Sequence, residues 1–251
     1  LYNNGKNDSM NQVWQWTAPT YVSSVAVDSQ FNVYAGDNGY NVTKLDSSGK
    51  QVWQWTALGF VYSVAVDSQF NVYAGDYNYH VTKLDSTGKQ VWQWTAPSVV
   101  HSIAVDSQFN VYVGDDGNHV TKLNSSGNRV WQWTEPGSVY SVVVDSQFNV
   151  YAGDYYSHAT KLDSNGKQVW QWTTSNIVRS VAVDSQFNVY VGDWDNHVTK
   201  LDSNGNKVWQ WTAPGSVSSV AVDSQFNVYA GDSSNHVTKL SSSGKQVWQW
   251  T

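Results

Sequence analysis

The sequence predicts an all-β fold, a six-bladed β-propeller with four antiparallel strands per blade, and three observations support this prediction. The triplet Trp-Gln-Trp recurs every 39 residues, starting at Trp14, Trp53, Trp92, Trp131, Trp170, Trp209 and Trp248. Each interval holds four short segments with the composition of β-strands, and none has the apolar spacing typical of a helix. Four strands in roughly 40 residues, repeated without insertions, are typical of propeller blades; a β-solenoid would need shorter coils and is the weaker alternative.

The first repeat shows how each strand is predicted. Residues 24–27 are rich in β-branched side chains and lead into a polar turn, after which residues 33–35 form the second strand. The third strand, 42–45, is followed by a turn in which Gly49 suits positive φ. The fourth strand is the segment 52–56, which contains Trp-Gln-Trp.

The repeats also predict the domain organisation. Residues 18–251 comprise six repeats and are expected to form one propeller domain, whereas residues 1–17 hold a segment unlike the repeat followed by an extra fourth strand at 13–17. Propellers often close by letting one terminus complete the blade begun by the other, so 13–17 and 247–251 compete for one place. The sequence leaves open which copy closes the ring. A displaced copy is a spare edge strand, and the protein is therefore expected to be a monomer or a dimer.

The composition excludes several classes of partner. Charged residues are only 14% of the chain and the formal net charge is −6, so neither a nucleic acid nor an anionic membrane surface is expected as a partner. The absence of Cys excludes disulfides and thiolate sites. No apolar run is long enough to span a membrane, and residues 1–6 lack the pattern of a signal peptide. We therefore expect a soluble protein, whose compartment the sequence does not indicate.

Four short stretches recur in the repeats: Val-Ala-Val-Asp at 25–28, Asn-Val-Tyr at 32–34, Gly-Asp at 36–37 and Asn-His-Val at 118–120. They resemble the NHL-type propeller repeat, and the segment 44–50 is similar to bacterial β-propeller repeats; the resemblance covers nearly everything after residue 17. Phe31 stands where that family usually has Gly, and Trp-Gln-Trp is not typical of its fourth strand. The resemblance implies the fold, but one fold hosts many functions. The uniformity of the repeats indicates recent amplification or design.

The paired Trp residues of the fourth strand have two interpretations. Side chains alternate along a strand, so Trp53 and Trp55 point the same way. Such indoles could form aromatic platforms for sugars or bases. The favoured interpretation is that they fill the wide outer gap between blades.

A column of histidines invites a metal or catalytic interpretation. Its members are His80, His119, His158, His197 and His236, with Asn41 at that position in the first repeat. Equivalent residues spaced around a disc do not converge on one ion. Each His follows an Asp by four residues, as His80 follows Asp76, so we expect a loop pinned by an Asp–His bond. The Asp-rich turns lack the carboxylate density of calcium loops. No metal and no cofactor are expected.

The six copies differ mainly in two short places, between strands four and one and between strands two and three. In an up-and-down blade both loops lie on the same face of the disc, and the loops of the opposite face hardly change. The variable positions carry Tyr, Ser, Asn, Gly and Asp with single Trp, Arg and His residues, which are the residue types of recognition loops. Neutral tolerance at loop tips is the alternative, and the functional interpretation is favoured.

We therefore predict a non-enzymatic recognition module that presents these loops to a protein or glycan ligand. The alternative is a symmetric structural or designed scaffold with no ligand. A metal-dependent, lyase-like enzyme is less favoured, because no carboxylate constellation or nucleophile–base pair accompanies His101 and Arg179. The candidate ligand-binding residues are Tyr21, Ser23, Tyr40, Phe60, Tyr62, Tyr77, Tyr79, His101, Asp116, Tyr140, Tyr155, Tyr156, Arg179, Trp194, Asp195 and Ser218.

Overall fold

Six four-stranded sheets follow one another around a common axis. The computed structural model of the chain describes residues 13–251 and contains 24 β-strands. Strands consecutive in the chain are neighbours in each sheet, and every pair is antiparallel. First strands of consecutive blades contact each other, so they are the innermost ones. This is a six-bladed all-β propeller, which confirms the predicted fold class.

The blades are numbered in chain order. Blade 1 comprises β1 (Val22–Val27), β2 (Val33–Asp37), β3 (Asn41–Leu45) and β4 (Gln51–Thr56). Blade 2 comprises β5 (Val61–Val66), β6 (Val72–Asp76), β7 (His80–Leu84) and β8 (Gln90–Thr95). Blade 3 comprises β9 (Val100–Val105), β10 (Val111–Asp115), β11 (His119–Leu123) and β12 (Arg129–Thr134). Blade 4 comprises β13 (Val139–Val144), β14 (Val150–Asp154), β15 (His158–Leu162) and β16 (Gln168–Thr173). Blade 5 comprises β17 (Val178–Val183), β18 (Val189–Asp193), β19 (His197–Leu201) and β20 (Lys207–Thr212), and blade 6 comprises β21 (Val217–Val222), β22 (Val228–Asp232), β23 (Val237–Leu240) and β24 (Gln246–Trp250).

The strands are slightly longer than the sequence predicts. The first strand begins at Val22, two residues before the predicted start, because Val22 pairs with Asp37 across a bulge. Of the two copies of the fourth strand that compete for the last blade, the later one occupies it: β24 pairs with β23, and residues 13–17 belong to no sheet. The described residues include no helix with the length and apolarity needed to cross a membrane.

The apolar core lies between blades. At the junction of blades 2 and 3, the buried side chains of Tyr73 and Val81 pack against Val100, Val111 and Leu123. Similar clusters occupy the other four junctions between consecutive blades, from blade 1 to blade 6. Each blade is therefore stabilised by its neighbours rather than by a core of its own.

The indoles of the fourth strand pack in the outer part of these junctions. Trp92 lies 6.0 Å from the ring of Tyr73, and its Nε1–H donates to the carbonyl oxygen of Ser125 in the next blade at 3.1 Å. Gly127 of that turn has φ of 81° and lies against the Trp92 ring. Trp94 is half-buried against the same core. The interpretation that these residues fill the gap between blades is confirmed.

The turn between the first and second strands is held by a buried aspartate. The Oδ1 of Asp67 accepts the backbone N–H groups of Gln69 and Asn71, and its Oδ2 accepts the Tyr73 hydroxyl, each at 2.9 Å. Within this turn Phe70 has φ of 65°, in the left-handed region that favours glycine. The hydrogen bonds to Asp67 impose this conformation, and the other five blades repeat it.

Each junction between consecutive blades also contains one hydrogen bond from a first strand to the serine of the preceding one. The donors and acceptors are Val64 N–H to Ser24 Oγ, Ile103 to Ser63, Val142 to Ser102, Val181 to Ser141 and Val220 to Ser180, at 2.9–3.1 Å. Ser219 of blade 6 has no such partner within residues 13–251.

Removing one of these hydroxyls is expected to destabilise the protein selectively. Ser141→Ala leaves the Val181 N–H without its acceptor inside the junction, which costs about 1–2 kcal/mol of unfolding free energy. Ser219→Ala, the matched change in blade 6, is expected to cost less than about 0.5 kcal/mol. Urea denaturation of both variants checks this prediction, and equal losses would contradict it.

Candidate functional site

The two variable loops of each blade meet on one face of the propeller. In blade 2 the Tyr77 N–H donates to the carbonyl oxygen of Phe60 at 2.9 Å, which joins the loop before β5 to the loop between β6 and β7. The same bond recurs in the other blades, from Asn38 to Tyr21, Asp116 to Val99, Tyr155 to Ser138, Trp194 to Ile177 and Ser233 to Ser216. We call this surface the tip face. The turns that hardly change between repeats lie at the opposite ends of the strands.

Aromatic side chains from neighbouring blades form a continuous line on the tip face. Tyr40 of blade 1 lies 5.3 Å from Phe60 of blade 2, measured between ring centroids, and Phe60 lies 6.5 Å from Tyr62. Tyr62 stacks on His101 of blade 3 at 5.8 Å, and His101 meets Tyr140 of blade 4 edge-on at 5.0 Å. These spacings are those of favourable aromatic pairs, so the side chains support one another across blade boundaries.

Arg179 extends this line of side chains from blade 4 into blade 5. The guanidinium of Arg179 lies 4.6 Å from the Tyr140 ring and 5.7 Å from the Trp194 ring. Tyr155 lies 6.3 Å from Tyr140 and 5.5 Å from Tyr156. Stacking on two aromatic rings fixes the orientation of the guanidinium and leaves its N–H donors for another group.

A cavity of about 400 Å³ opens on the tip face at the axis. Its lining residues come from blades 1 to 5 and are Tyr21, Ser23, Asn38, Tyr62, His101, Tyr140 and Arg179. Most of them occupy the second position of a first strand, which the innermost strands direct toward the axis. The volume lies in the range of small-ligand sites.

The electrostatics of this cavity are asymmetric. Arg179 forms no ion pair with a carboxylate in the described part of the chain, so its charge is available to a bound group. Burial lowers the pKa of His101, although Asp116 at 3.3 Å opposes this effect. His101 is therefore neutral at physiological pH, and Arg179 is the fixed positive charge of the cavity.

The structure brings most of the predicted ligand-binding residues together. Six of them line the cavity, and seven more flank it: Tyr40, Phe60, Tyr77, Asp116, Tyr155, Tyr156 and Trp194. Tyr79, Asp195 and Ser218 do not belong to this group; Asp195 instead accepts a hydrogen bond from Asn176 at 2.8 Å.

Asn38 also belongs to the site, although it is not among the predicted ligand-binding residues. Its Oδ1 accepts the Ser23 hydroxyl at 2.8 Å, and both side chains line the cavity. The signal was its position at the start of a variable loop.

The histidine column forms pinned loops, as predicted. The Nδ1 atoms of the five histidines lie 3.0–3.3 Å from the aspartate four residues earlier, and the same aspartates accept the histidine backbone N–H. In residues 13–251 no group of three His, Cys, Asp or Glu side chains is arranged to hold a metal ion.

One buried carboxylate lies beneath the tip face, at the junction of blades 3 and 4. Glu135 is the only glutamate of the chain and is 3% exposed. Its Oε2 accepts the Thr160 hydroxyl at 3.0 Å, and its Oε1 has no hydrogen-bond partner among the residues described. Burial raises the pKa of Glu135 to about 7. Ala57, Ala96 and Ala213 hold the same place in other blades, so the sequence signal for this site is a carboxylate at a repeat position that is mostly alanine.

The sequence profile described as outer membrane protein assembly factor BamB matches residues 7–141 and 116–251, which together span almost the whole chain. The chain belongs to this family. The BamB-like profile agrees with the propeller architecture and shows a β-propeller repeat family, without assigning the repeats to the NHL type. No curated protein matches the chain at a significant level.

Proposed function

We propose that the protein is a non-enzymatic recognition module that binds a protein or glycan ligand on its tip face. The ligand occupies the axial cavity and extends over the flanking aromatic side chains. Arg179 donates hydrogen bonds to an acceptor group of the ligand, and Tyr62 and Tyr140 supply flat apolar contact. No nucleic acid, membrane or metal is part of this proposal.

The observation that carries the proposal is the difference between the two faces. Variable residues of five blades converge on one cavity, whereas the turns of the opposite face stay almost identical in all six repeats. Neutral drift would have altered exposed turns on both faces. The description of the matching family as an assembly factor supports a role exercised through binding. The NHL-type resemblance supports the same role at the level of the fold only.

A ligandless scaffold and an enzyme are the competing functions. A scaffold does not require Arg179 to be stacked between two aromatic rings with its donors free. An enzyme requires a nucleophile with an adjacent base, or a set of carboxylates. In the cavity lining the Ser23 hydroxyl donates to Asn38, and none of the lining residues is a carboxylate. Binding is therefore the function that the cavity supports best.

The test replaces four contact residues together: Tyr62→Ser, Tyr140→Ser, Arg179→Ser and Trp194→Ser. We expect the affinity for a bound glycan or protein to fall by roughly 30-fold or more, since aromatic and arginine anchors dominate recognition surfaces. Glycan arrays and titration against captured ligands measure the change.

The matched control replaces four exposed glutamines of the opposite face: Gln69→Ser, Gln108→Ser, Gln186→Ser and Gln225→Ser. This variant is expected to bind like the parent chain. If the two quadruple variants retained ligand equally well, or if only the control lost it, the tip face would not be the binding surface. Circular dichroism of both variants shows that the fold is kept.

A further inference from the structure

The junction between blade 6 and blade 1 differs from the five other junctions. In blades 2 to 6, one apolar side chain of each first strand is only 6–7% exposed; these are Val64, Ile103, Val142, Val181 and Val220. Val25, their equivalent in blade 1, is 63% exposed, and Val27 is 57% exposed. In the described chain the Val25 N–H has no serine acceptor of the kind that the other first strands have. Blade 1 therefore lacks a preceding blade on its apolar side.

Blade 6 lacks a following blade on the side that other blades cover with their successor. A Cβ added at Gly192 of blade 5 would lie 2.7 Å from Val217 Cγ1, because that valine fills the recess above the glycine. At Gly231, the equivalent glycine of blade 6, no atom lies within 4 Å of the Cβ position. Trp250 at the outer edge is 57% exposed. The recess of blade 6 is formed but unfilled.

Residues 13–17 contribute the third observation. Trp14 Nε1–H donates to the Ser47 carbonyl oxygen at 3.1 Å, the same bond and length as from Trp53 to Ser86. The Trp14 ring also covers Gly49, as the Trp53 ring covers Gly88. Trp14 thus lies where the fourth strand of a blade preceding blade 1 would place its indole. Residues 13–17 therefore occupy the position of that fourth strand without pairing to any sheet, and the three strands that would pair with them are not among the described residues.

We propose that the gap between blades 6 and 1, the seam, accepts the first three strands of one further copy of this repeat, with residues 13–17 as its fourth strand. A first-strand valine would enter the Gly231 recess, its neighbouring N–H would bond Ser219 Oγ, and a turn glycine would lie under Trp248. The five existing junctions show that the repeat itself has these groups in this arrangement. This proposal does not depend on the proposed function.

Two other occupants fit less well. If blade 6 closed directly on blade 1, Trp248 would need the place over Gly49 that Trp14 already holds. Blade 6 of a second copy would meet the same obstacle. A three-stranded unit avoids it, because it uses residues 13–17 instead of displacing them.

The test compares the full chain with a version extended after Thr251 by a copy of residues 213–245, which includes the turn that contains Gly244. Gly231→Ala is introduced into both. In the unextended chain we expect the Tm to change by less than about 2 °C, because the added methyl meets open space. In the extended chain we expect Gly231→Ala to lower the Tm by roughly 5 °C or more, because a valine then fills the recess.

The control extension carries Val217→Asp in the appended copy. In this control, Gly231→Ala is expected to leave the Tm unchanged. If Gly231→Ala destabilised the unextended chain as much as Gly192→Ala does, the seam would already be closed and the proposal overturned. Light scattering would then distinguish direct closure, in a monomer, from a second copy. A neutral Gly231→Ala in the extended chain would overturn the proposal as well.

A second measurement does not depend on the folding of an extension. In the unextended chain the Val25 N–H is expected to exchange with deuterium on the order of 10-fold faster, or more, than the N–H groups of Val64 and Val142. In the extended chain this difference is expected to vanish. Equal protection of the three groups in the unextended chain would overturn the proposal.

Discussion

Glu135→Gln is expected to raise the free energy of unfolding by about 3 kcal/mol above pH 7 and to change it little below pH 4.5, the usual value for this carboxyl. The buried carboxyl keeps its proton in the folded protein up to its pKa of about 7. The unfolded chain already releases the proton near pH 4.5. Between these values the folded state binds more protons than the unfolded state, so the stability of the parent chain falls as the pH rises. The amide of the variant does not titrate, and this loss disappears.

Urea denaturation of both proteins from about pH 4 to about pH 8 measures the difference. The difference in unfolding free energy between the two proteins at each pH removes the contributions of the other titrating groups, because both proteins contain them. An offset that stays constant over this range would show that the Glu135 carboxyl is not the titrating group.

Ala96→Glu supplies a matched test in another blade. Thr121 stands to Ala96 as Thr160 stands to Glu135, and its buried hydroxyl has no hydrogen-bond partner among the residues described. The new carboxylate is therefore expected to create the same pH dependence at the junction of blades 2 and 3. If Ala96→Glu were equally destabilising at all pH values, overpacking rather than ionisation would be the cause.

Gly192→Ala is expected to lower the free energy of unfolding by about 3 kcal/mol, because the added methyl group overpacks the junction of blades 5 and 6. The new Cβ would lie 2.7 Å from Val217 Cγ1 and 3.1 Å from Val220 Cγ1. Val217 is completely buried, so it has no room to move away. The blades must separate or the strand must shift. Thermal unfolding is expected to show a Tm lower by roughly 6–12 °C.

Gly231→Ala is the control for this substitution, since it makes the same chemical change in the same strand position without a neighbour. It is expected to leave the unfolding free energy within about 0.5 kcal/mol of the parent value. If both substitutions cost the same, the penalty would arise from the backbone of the strand, and close packing between blades would not explain it.

The repeat made most of the fold predictable from sequence. Six equal intervals and the alternation within Trp-Gln-Trp located the strands, and the loop topology placed the variable residues on one face. Phe31 departs from the NHL-type repeat, which usually has Gly at this position. The structure explains how phenylalanine adopts φ of 64° there, because the Asp28 carboxylate accepts hydrogen bonds from the backbone of the turn. Local hydrogen bonding decided this position, and residue type alone did not predict it.

Other features depend on contacts between blades, which a linear pattern does not contain. The sequence indicated the conflict between residues 13–17 and 247–251 but not its outcome, in which β24 pairs with β23 while Trp14 covers Gly49. Tyr79 and Ser218 share the variable pattern with the cavity residues, yet neither is among the residues that line the cavity. Asn38 lines it through a side-chain bond to Ser23 that no spacing rule indicates.

The location of the core between blades determines how the molecule unfolds. Each interior blade packs against a neighbour on both sides, whereas blades 1 and 6 each pack against one neighbour. The free energy of folding is then approximately the sum of the stabilities of single blades and of the interfaces between neighbouring blades, as in linear repeat proteins. Fraying therefore starts at the two end blades and moves inward, and a protease would release fragments that shorten in steps of one repeat.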